Sequence, residues 1–385
     1  MKVLFVTHSY PRVPGDAAGS FLWHLAVALR QQGVEVRVIA PSSDDLPAHD
    51  VFDGIQVDRF RYAPRRYENL AYTGNMASDV QRSWSAKFAL VGFLGSEFAT
   101  ATRVRREFAP DVVHAHWWFP GGLVANWVAS MGHLPMITTM HGTDVRLARS
   151  KAFAQPLFRY VMRQSRAVTT VSRWLADEVS AMVPGLKPLV APMPVSTAMF
   201  SPGGERDPSR LLFVGRLNAQ KGIGDLLDAL GRMQRSATLD VVGDGPDRQA
   251  LQGRAESLGL GTRITWHGPL PQTALPDLYR GATALVAPFI GEGLGLVVVE
   301  AQLCDTAVVA YASGGMTDTI RDDETGVLVP PGDVPALAAA LDALLSDPAR
   351  RLRLGQSGRM NAMGLFAPES AARRYAELYR AVVAR

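Results

Sequence analysis

Two carboxylates with seven residues between them, Glu292 and Glu300, flank a turn built from Gly291, Gly293, Leu294, Gly295 and Leu296. The turn follows an apolar run, residues 284–287, that reads as a buried strand stopped by Pro288. It precedes residues 301–303, which continue as a helix. Glycines at such a place let a backbone approach a ligand closely, and the free N–H groups of a helix start attract phosphate. With a helix starting near Gly295, Glu300 lies roughly 7 Å along it at about 1.5 Å per residue. Glu292 sits before the helix, on the other side of the phosphate seat. An ionised carboxylate is a strong acceptor, so one can take sugar hydroxyls and the other ribose hydroxyls. Earlier in the chain, Arg216 and Lys221 follow another apolar run, residues 211–214, and precede a helix from Ile223. Two cations at a strand's carboxyl end could neutralise a diphosphate leaving group. The plainer readings are a strand–loop–helix crossover with solvated glutamates, and a pair of surface salt bridges.

The elements that must hold these groups are α/β. At 385 residues the chain exceeds one ordinary core, so two domains are expected. An apolar share of 47% and a charged share of 20% describe a globular protein without a membrane span. A net charge of +4 is too small to argue for nucleic acid. The single cysteine, Cys304, allows no internal disulfide, which fits a reducing compartment. The first residues are too poor in apolar side chains for a signal peptide and read as a strand. A cytoplasmic location is expected, with peripheral contact at the inner face of a membrane as a further expectation.

Residues 3–7 read as a strand, residues 9–19 as a Pro- and Gly-rich loop, residues 21–32 as a helix and residues 34–39 as a second strand. A βαβ unit of this kind binds ligands at the carboxyl ends of its strands, which places Gly15, Gly19 and Ser20 where a ligand could lie. Arg59, Arg61, Arg65 and Arg66 alternate with Phe60, Tyr62 and Tyr67 and read as a solvated edge strand or loop. Two later strands, residues 111–116 and 136–140, deliver His116, Trp117 and His141 to one edge of the sheet. Residues 146–166 carry six basic and no acidic residues, interleaved with Phe153, Leu157, Phe158 and Val161. They read as a solvated helix face or as a basic amphipathic surface for an anionic membrane. Prolines and glycines crowd residues 195–208, the expected linker. Beyond it, each strand runs into glycine at Gly215, Gly243, Gly268, Gly291 and Gly314, so the carboxyl edge of the second sheet reads as one ligand surface. A last helix spans about residues 368–383.

Together these features resemble the family-four retaining glycosyltransferases of the GT-B fold, over nearly the whole chain. The residues that carry the resemblance are Gly215-Arg216-Leu217 with Lys221-Gly222, Val242-Gly243-Asp244-Gly245-Pro246, His267-Gly268, Glu292-Gly293-Leu294-Gly295 through Glu300-Ala301, Gly314-Gly315, and residues 326–330. In the first half, His141-Gly142-Thr143-Asp144 is similar to that family's acceptor-side histidine motif. The chain departs from the pattern at Asp305-Thr306-Ala307, at Asp318, and at Gly15-Asp16-Ala17-Ala18-Gly19, where adjacent glycines are usual.

The resemblance implies two facing Rossmann-like domains with the active site in the cleft. Residues 1–198 would form an acceptor-side domain, joined by a crossing helix at about residues 368–385, and residues 205–365 a donor-side domain. Arg216 and Lys221 would bind the diphosphate of a nucleotide sugar, and Gly293, Leu294, Gly295 and Leu296 would offer N–H groups to it. Glu292 would take sugar hydroxyls and Glu300 the ribose. Gly215 and Gly243 would line the donor surface, with Gly268 and Leu270 near the base. His141 and Asp144 would face sugar and acceptor, beside His116 and Trp117, and Gly19 and Ser20 would approach the phosphates. Hexose transfer with retention would proceed by same-face attack, with the leaving diphosphate taking the acceptor's proton. The acceptor would be a saccharide or a lipid-linked saccharide. No Asp-x-Asp triplet occurs, so no metal and no other cofactor is expected. Two rival expectations are a GT-B sugar-nucleotide epimerase, which needs no acceptor, and a two-lobed sugar-binding protein without catalysis. Conversion of free sugar nucleotide marks the first, and binding without transfer or hydrolysis the second.

Overall fold

The computed structural model describes residues 1–43, 46–72 and 76–384. The chain divides into two units, Met1–Pro194 with Pro368–Arg385, and Val195–Ala367. Each is a mainly parallel sheet between helices.

In the first unit, β1 (Lys2–Val6) leads through a loop into α1 (Ser20–Gln31) and back to β2 (Glu35–Pro41). Leu22, Leu25, Ala26 and Leu29 recur at helical spacing and are fully buried. Burial stabilises the larger of these side chains by about 1.5–3 kcal/mol each. A hairpin, β3 (His49–Phe52) and β4 (Ile55–Phe60), is followed by α2 (Met76–Arg82) and a long helix, α3 (Trp84–Phe108). Then come β5 (Val112–His116), α4 (Leu123–Gly132), β6 (Met136–Met140), α5 (Thr143–Ser150), α6 (Gln155–Gln164), β7 (Ala167–Thr170), α7 (Arg173–Met182) and β8 (Leu189–Val190). The strand order is β3-β4-β2-β1-β5-β6-β7-β8, and only the β3–β4 pair is antiparallel. Chain direction across the sheet reverses between β1 and β5, so the loops after these two strands meet at its switch point.

The second unit runs β9 (Arg210–Val214), α8 (Ile223–Arg232), β10 (Thr238–Val242), α9 (Arg248–Ser257), β11 (Ile264–Gly268), α10 (Leu275–Gly281), β12 (Ala284–Ala287), α11 (Leu296–Leu303), β13 (Ala307–Tyr311), α12 (Met316–Thr319), β14 (Val327–Val329), α13 (Val334–Ser346) and α14 (Pro348–Phe366). The order is β11-β10-β9-β12-β13-β14, all parallel. Its switch point lies between β9 and β12. The loops carrying Arg216 with Lys221 and Glu292 with Gly295 are therefore neighbours. The closing helix, α15 (Pro368–Val383), packs on α1 in the first unit.

Two expectations are corrected. The segment around Arg59 is no solvated edge: β3 covers β4, and the Arg59 side chain is fully buried. Its Nη2 donates to Pro11 O at 2.6 Å and lies 3.7 Å from Asp50 Oδ2. Tyr62 is buried, and its Oη accepts from the N–H groups of Leu70 and Ala71. Arg61, Arg65, Arg66 and Tyr67 are exposed. The Pro- and Gly-rich stretch after residue 194 is no free linker either. Val195 donates to Phe366 O at 3.0 Å, and Arg206 donates to Ala282 O at 3.0 Å, which fastens it to the second unit.

Candidate active site

In the second unit, Gly215 leaves β9 and Asn218 caps a single turn, its Oδ1 accepting from Lys221 N at 3.3 Å. Gly222 then enters α8 with φ of 61°. A side chain could not fit there, because a Cβ would lie 2.0 Å from Pro288 O. This close approach joins the two switch-point loops, and Ile290 N donates to Gln220 O at 2.9 Å. Lys221 is thereby aimed at Glu292, with Nζ 2.7 Å from Oε2 and 4.1 Å from the centre of the Phe289 ring. Cation and carboxylate, expected to serve different parts of one ligand, are paired with each other. Both remain partly exposed, so the pair contributes little stability by itself.

The turn bearing Glu292 is tied to the loop after β13. Gly291 N donates to Ser313 Oγ at 3.0 Å, and Gly315 N to Glu292 O at 2.8 Å. Gly295, at φ of 79°, opens α11, whose first N–H groups have no carbonyl of their own helix to bind. Glu292 stands four residues ahead of these groups in the chain, and a helix start of this kind can seat an anion. Gly314 has φ of 61°, and a Cβ there would come within 2.4 Å of Glu292 O. Gly314→Ala is expected to destabilise the unit by about 1–3 kcal/mol and to displace Glu292. A drop in Tm together with weaker donor binding would be the result; an unchanged Tm would refute it.

Glu300 lies deeper than a simple ribose-facing residue. It is buried, and its oxygens accept from Tyr279 Oη at 2.7 Å and Gln272 Nε2 at 3.0 Å. Burial pushes its carboxyl up to about 7, while the bonds from Tyr279 and Gln272 act the other way. Gly243, at φ of 129°, serves packing between loops: a Cβ would meet Gly215 O at 1.9 Å. Its N–H donates to Gly268 O at 2.8 Å. Beside Gly268, His267 Nε2 lies 2.9 Å from Asp240 Oδ1, and Leu270 is half-buried. Arg216 is half-buried next to Gly215.

In the first unit, Phe5, His114 and His116 sit together because β1 and β5 are adjacent and His114 and His116 alternate onto one face. His116 Nδ1 lies 3.3 Å from His141 Nε2, and the His114 and His116 rings are 4.1 Å apart. Trp117 stacks between His8 and His141, at 4.3 Å from each. Burial lowers all four histidines, His8 to about 4, His114 to about 3, and His116 and His141 well below their usual range. Burial thus favours the neutral imidazole at each of them.

Two assignments change here. His116 is fully buried behind His141, so it supports that ring and does not meet an acceptor. Asp144 is buried too. Its Oδ1 accepts from the N–H groups of His141, Gly142 and Val145 at 3.1, 2.9 and 2.9 Å. It shapes the turn that presents His141, a positioning task. His141 itself is partly exposed. Gly19, in the left-handed region at φ of 70°, opens α1, and Ser20 at its first turn is buried.

The terminal helix supplies partners that strand spacing did not reveal. Tyr379 Oη lies 2.7 Å from His114 Nδ1, and Thr139 Oγ1 lies 2.7 Å from His114 Nε2. Tyr375 Oη donates to Ala191 O at 3.0 Å. Tyr379→Phe leaves a buried imidazole nitrogen without its partner, so a stability loss of about 1–3 kcal/mol is expected in denaturant titration. An unchanged midpoint would mean that the bond contributes nothing.

The basic stretch expected at residues 146–166 folds as α5 and α6. Phe158, Val161 and Met162 turn inward, Arg149 pairs with Glu178 at 2.8 Å, and Arg159 donates to Met182 O. Phe153 stays 77% exposed and Tyr160 is exposed as well, so only part of its apolar surface is used within the unit. No helix among the described residues is long and apolar enough to cross a membrane.

A parallel sheet with a cation, two carboxylates and an anion seat at its switch point, together with a second such sheet that carries a histidine edge, is the architecture of a GT-B glycosyltransferase. Residues 18–198 match the family model described as Glycosyltransferase Family 4, and residues 196–361 that of Glycosyl transferases group 1. The chain belongs to glycosyltransferase family 4, and it is an enzyme of glycosyl transfer. It is 30% identical to a glycogen synthase of Mycobacterium tuberculosis, over 99% of this chain and 95% of that one. It is 32% identical to a D-inositol 3-phosphate glycosyltransferase of Xylanimonas cellulosilytica, over 90% of this chain and 87% of the relative. Among solved structures, sucrose-phosphate synthase from Thermosynechococcus elongatus superposes with a TM-score of 0.82 at 23% identity, covering 100% and 99% of the two chains. Anabaena HepE in complex with UDP and glucose gives 0.76 at 17% identity, covering 99% and 100%.

Proposed function

We propose that this enzyme transfers a hexose from a nucleotide-diphosphate sugar to a saccharide or lipid-linked saccharide, with retention of anomeric configuration. The observation that carries the reading is the Lys221–Glu292 pair, 2.7 Å apart, with Glu292 four residues ahead of Leu296, the first residue of α11. It offers a cation and backbone donors to a diphosphate, and a carboxylate to sugar hydroxyls, within one loop cluster. The relatives' names fit this reading: HepE was solved with UDP and glucose, and the glycogen synthase implies a saccharide acceptor.

In the proposed step the acceptor hydroxyl attacks the anomeric carbon on the face that the diphosphate leaves. The carbon–oxygen bond to the diphosphate breaks, and a diphosphate oxygen takes the acceptor's proton. Arg216 and Lys221 stabilise the developing charge. Gly293, Leu294, Gly295 and Leu296 hold phosphate and sugar. Glu300 binds the ribose with the lone pairs left by Tyr279 and Gln272. Gly215, Gly268 and Leu270 line the nucleotide side, and Gly19 and Ser20 assist at phosphate. His141, neutral and steadied by His116, Trp117 and the Asp144 turn, meets the acceptor side. The reaction needs no metal, and the enzyme works in the cytoplasm with peripheral contact to an anionic membrane.

Thermal shift and hydrolysis against UDP-, GDP- and ADP-sugars test the donor. One nucleotide class should stabilise the protein and be slowly hydrolysed. The anomeric signal of the product, read by NMR, tests retention, and turnover in EDTA tests metal independence. Failure of every nucleotide sugar to bind would overturn the donor assignment. An inverted product would overturn the mechanism.

A further inference from the structure

Helix α3 carries an apolar surface that its own unit does not cover. Its inner face, with Ala86, Ala89, Phe93, Ala101 and Val104, packs into the core. On the opposite face Trp84 is 74% exposed, Phe88 74% and Val91 69%. They recur at i, i+4 and i+7, one stripe of a helix. Between Trp84 and Gly95 the only charge is Lys87, so these turns are apolar nearly all round, a pattern proper to a helix covered on both sides. The stripe continues to Phe98, whose ring meets Trp127 of α4 edge-on at 6.0 Å, with Met131 exposed one turn beyond. From Trp84 to Phe98 the stripe is roughly 21 Å long at about 1.5 Å per residue.

Its charges are mostly of one sign. Residues 82–108 hold five cations, Arg82, Lys87, Arg103, Arg105 and Arg106, against two acids. Of those acids Glu97 is buried, and Glu107 is engaged by Arg103 and Arg37. Lys87 Nζ lies 4.2 Å from the centre of the Trp84 ring, so the ammonium and the aromatic body are presented together.

We infer that the outer face of α3, centred on Trp84, Phe88 and Val91, docks the enzyme on an anionic lipid bilayer. Aromatic side chains enter the headgroup–acyl boundary while Lys87 and Arg82 meet lipid phosphates. A second copy of the chain fits this face less well, since a two-fold contact would set the same cations against each other. The inference rests on the proposed membrane contact and moves it from residues 146–166 to α3. It does not depend on the transfer chemistry, because binding is read without donor or acceptor.

The test is flotation of the full chain with phosphatidylcholine vesicles, with and without phosphatidylglycerol. The wild type should float with the anionic vesicles only, and added salt should release it. The double variant Trp84→Ser, Phe88→Ser should partition at least about tenfold less, since it removes both aromatic side chains that would bury apolar surface in the bilayer. Lys87→Glu should weaken binding several-fold. These residues are exposed, so an unchanged Tm confirms that each variant is folded. Three results would overturn the inference: no flotation of the wild type with either vesicle, equal flotation of the double variant, or a solution dimer abolished by that variant. Loss of transfer with flotation intact would strike the catalytic reading instead.

Discussion

Lys221→Ala is expected to lower turnover by about two to three orders of magnitude, the usual effect of removing one donor to a developing charge. Two losses combine. The leaving diphosphate loses a cation, and Glu292 loses the group 2.7 Å away that holds it in place. The first acts mainly in the transition state and lowers kcat. The second disturbs the ground state and raises KM. Lys221→Arg separates them: it keeps the charge but changes reach and shape, so it should bind donor better than the alanine variant while turning over slowly. Steady-state kinetics on the identified donor is the measurement. A kcat within a few-fold of wild type in Lys221→Ala would remove the lysine from the chemistry and leave it as Glu292's tether.

The largest stability change is expected at Glu97. It is fully buried on α3, and neither carboxylate oxygen has a hydrogen-bond partner. Burial pushes its carboxyl from 4.5 up to about 8. The folded protein therefore keeps a proton that the unfolded chain releases above about pH 4.5. The stability is full below that pH and is lost progressively as pH rises through about 8. At pH 7 the loss amounts to about 3 kcal/mol, since a tenfold change in proton concentration is worth roughly 1.4 kcal/mol. Asp144, raised to about 6, and Glu300, raised to about 7, slope the same way. The difference between wild type and Glu97→Met isolates one of the three. The Tm gap should be small at pH 5 and widen steadily to pH 8 in favour of the variant. A gap independent of pH would show that Glu97 is ionised or solvated in the folded state.

Much of the second unit is legible from the chain alone. The strand at Ala284–Ala287, the break at Pro288 and the helix carrying Glu300 follow from an apolar run, a proline and glycines whose local effects are strong. The strand–glycine alternation also places Arg216, Lys221 and Glu292 at one sheet edge. Spacing does not show that Lys221 and Glu292 touch, since that depends on β9 and β12 being neighbours. Helix α3 is illegible for a physical reason. Residues 84–95 have almost no polar face, so the 3.6-residue period has nothing to contrast with. Helix α14 is a further element beyond the sequence reading, although Asp347 accepts from Arg350 N at its start.

The division into two α/β halves and the residue types at the second sheet's carboxyl edge follow from the chain's own chemistry, and the family from the resemblance that its motifs carry. Glycine, proline and paired charges act there through local backbone conformation. Which of those groups meet is a matter of tertiary packing. It turns Asp144 and His116 inward as supports for His141, sets Tyr379 against His114, and sinks Glu300 onto Tyr279. Burial and long-range pairing assign these roles. They depend on strand order and on where α15 returns, which no local pattern encodes.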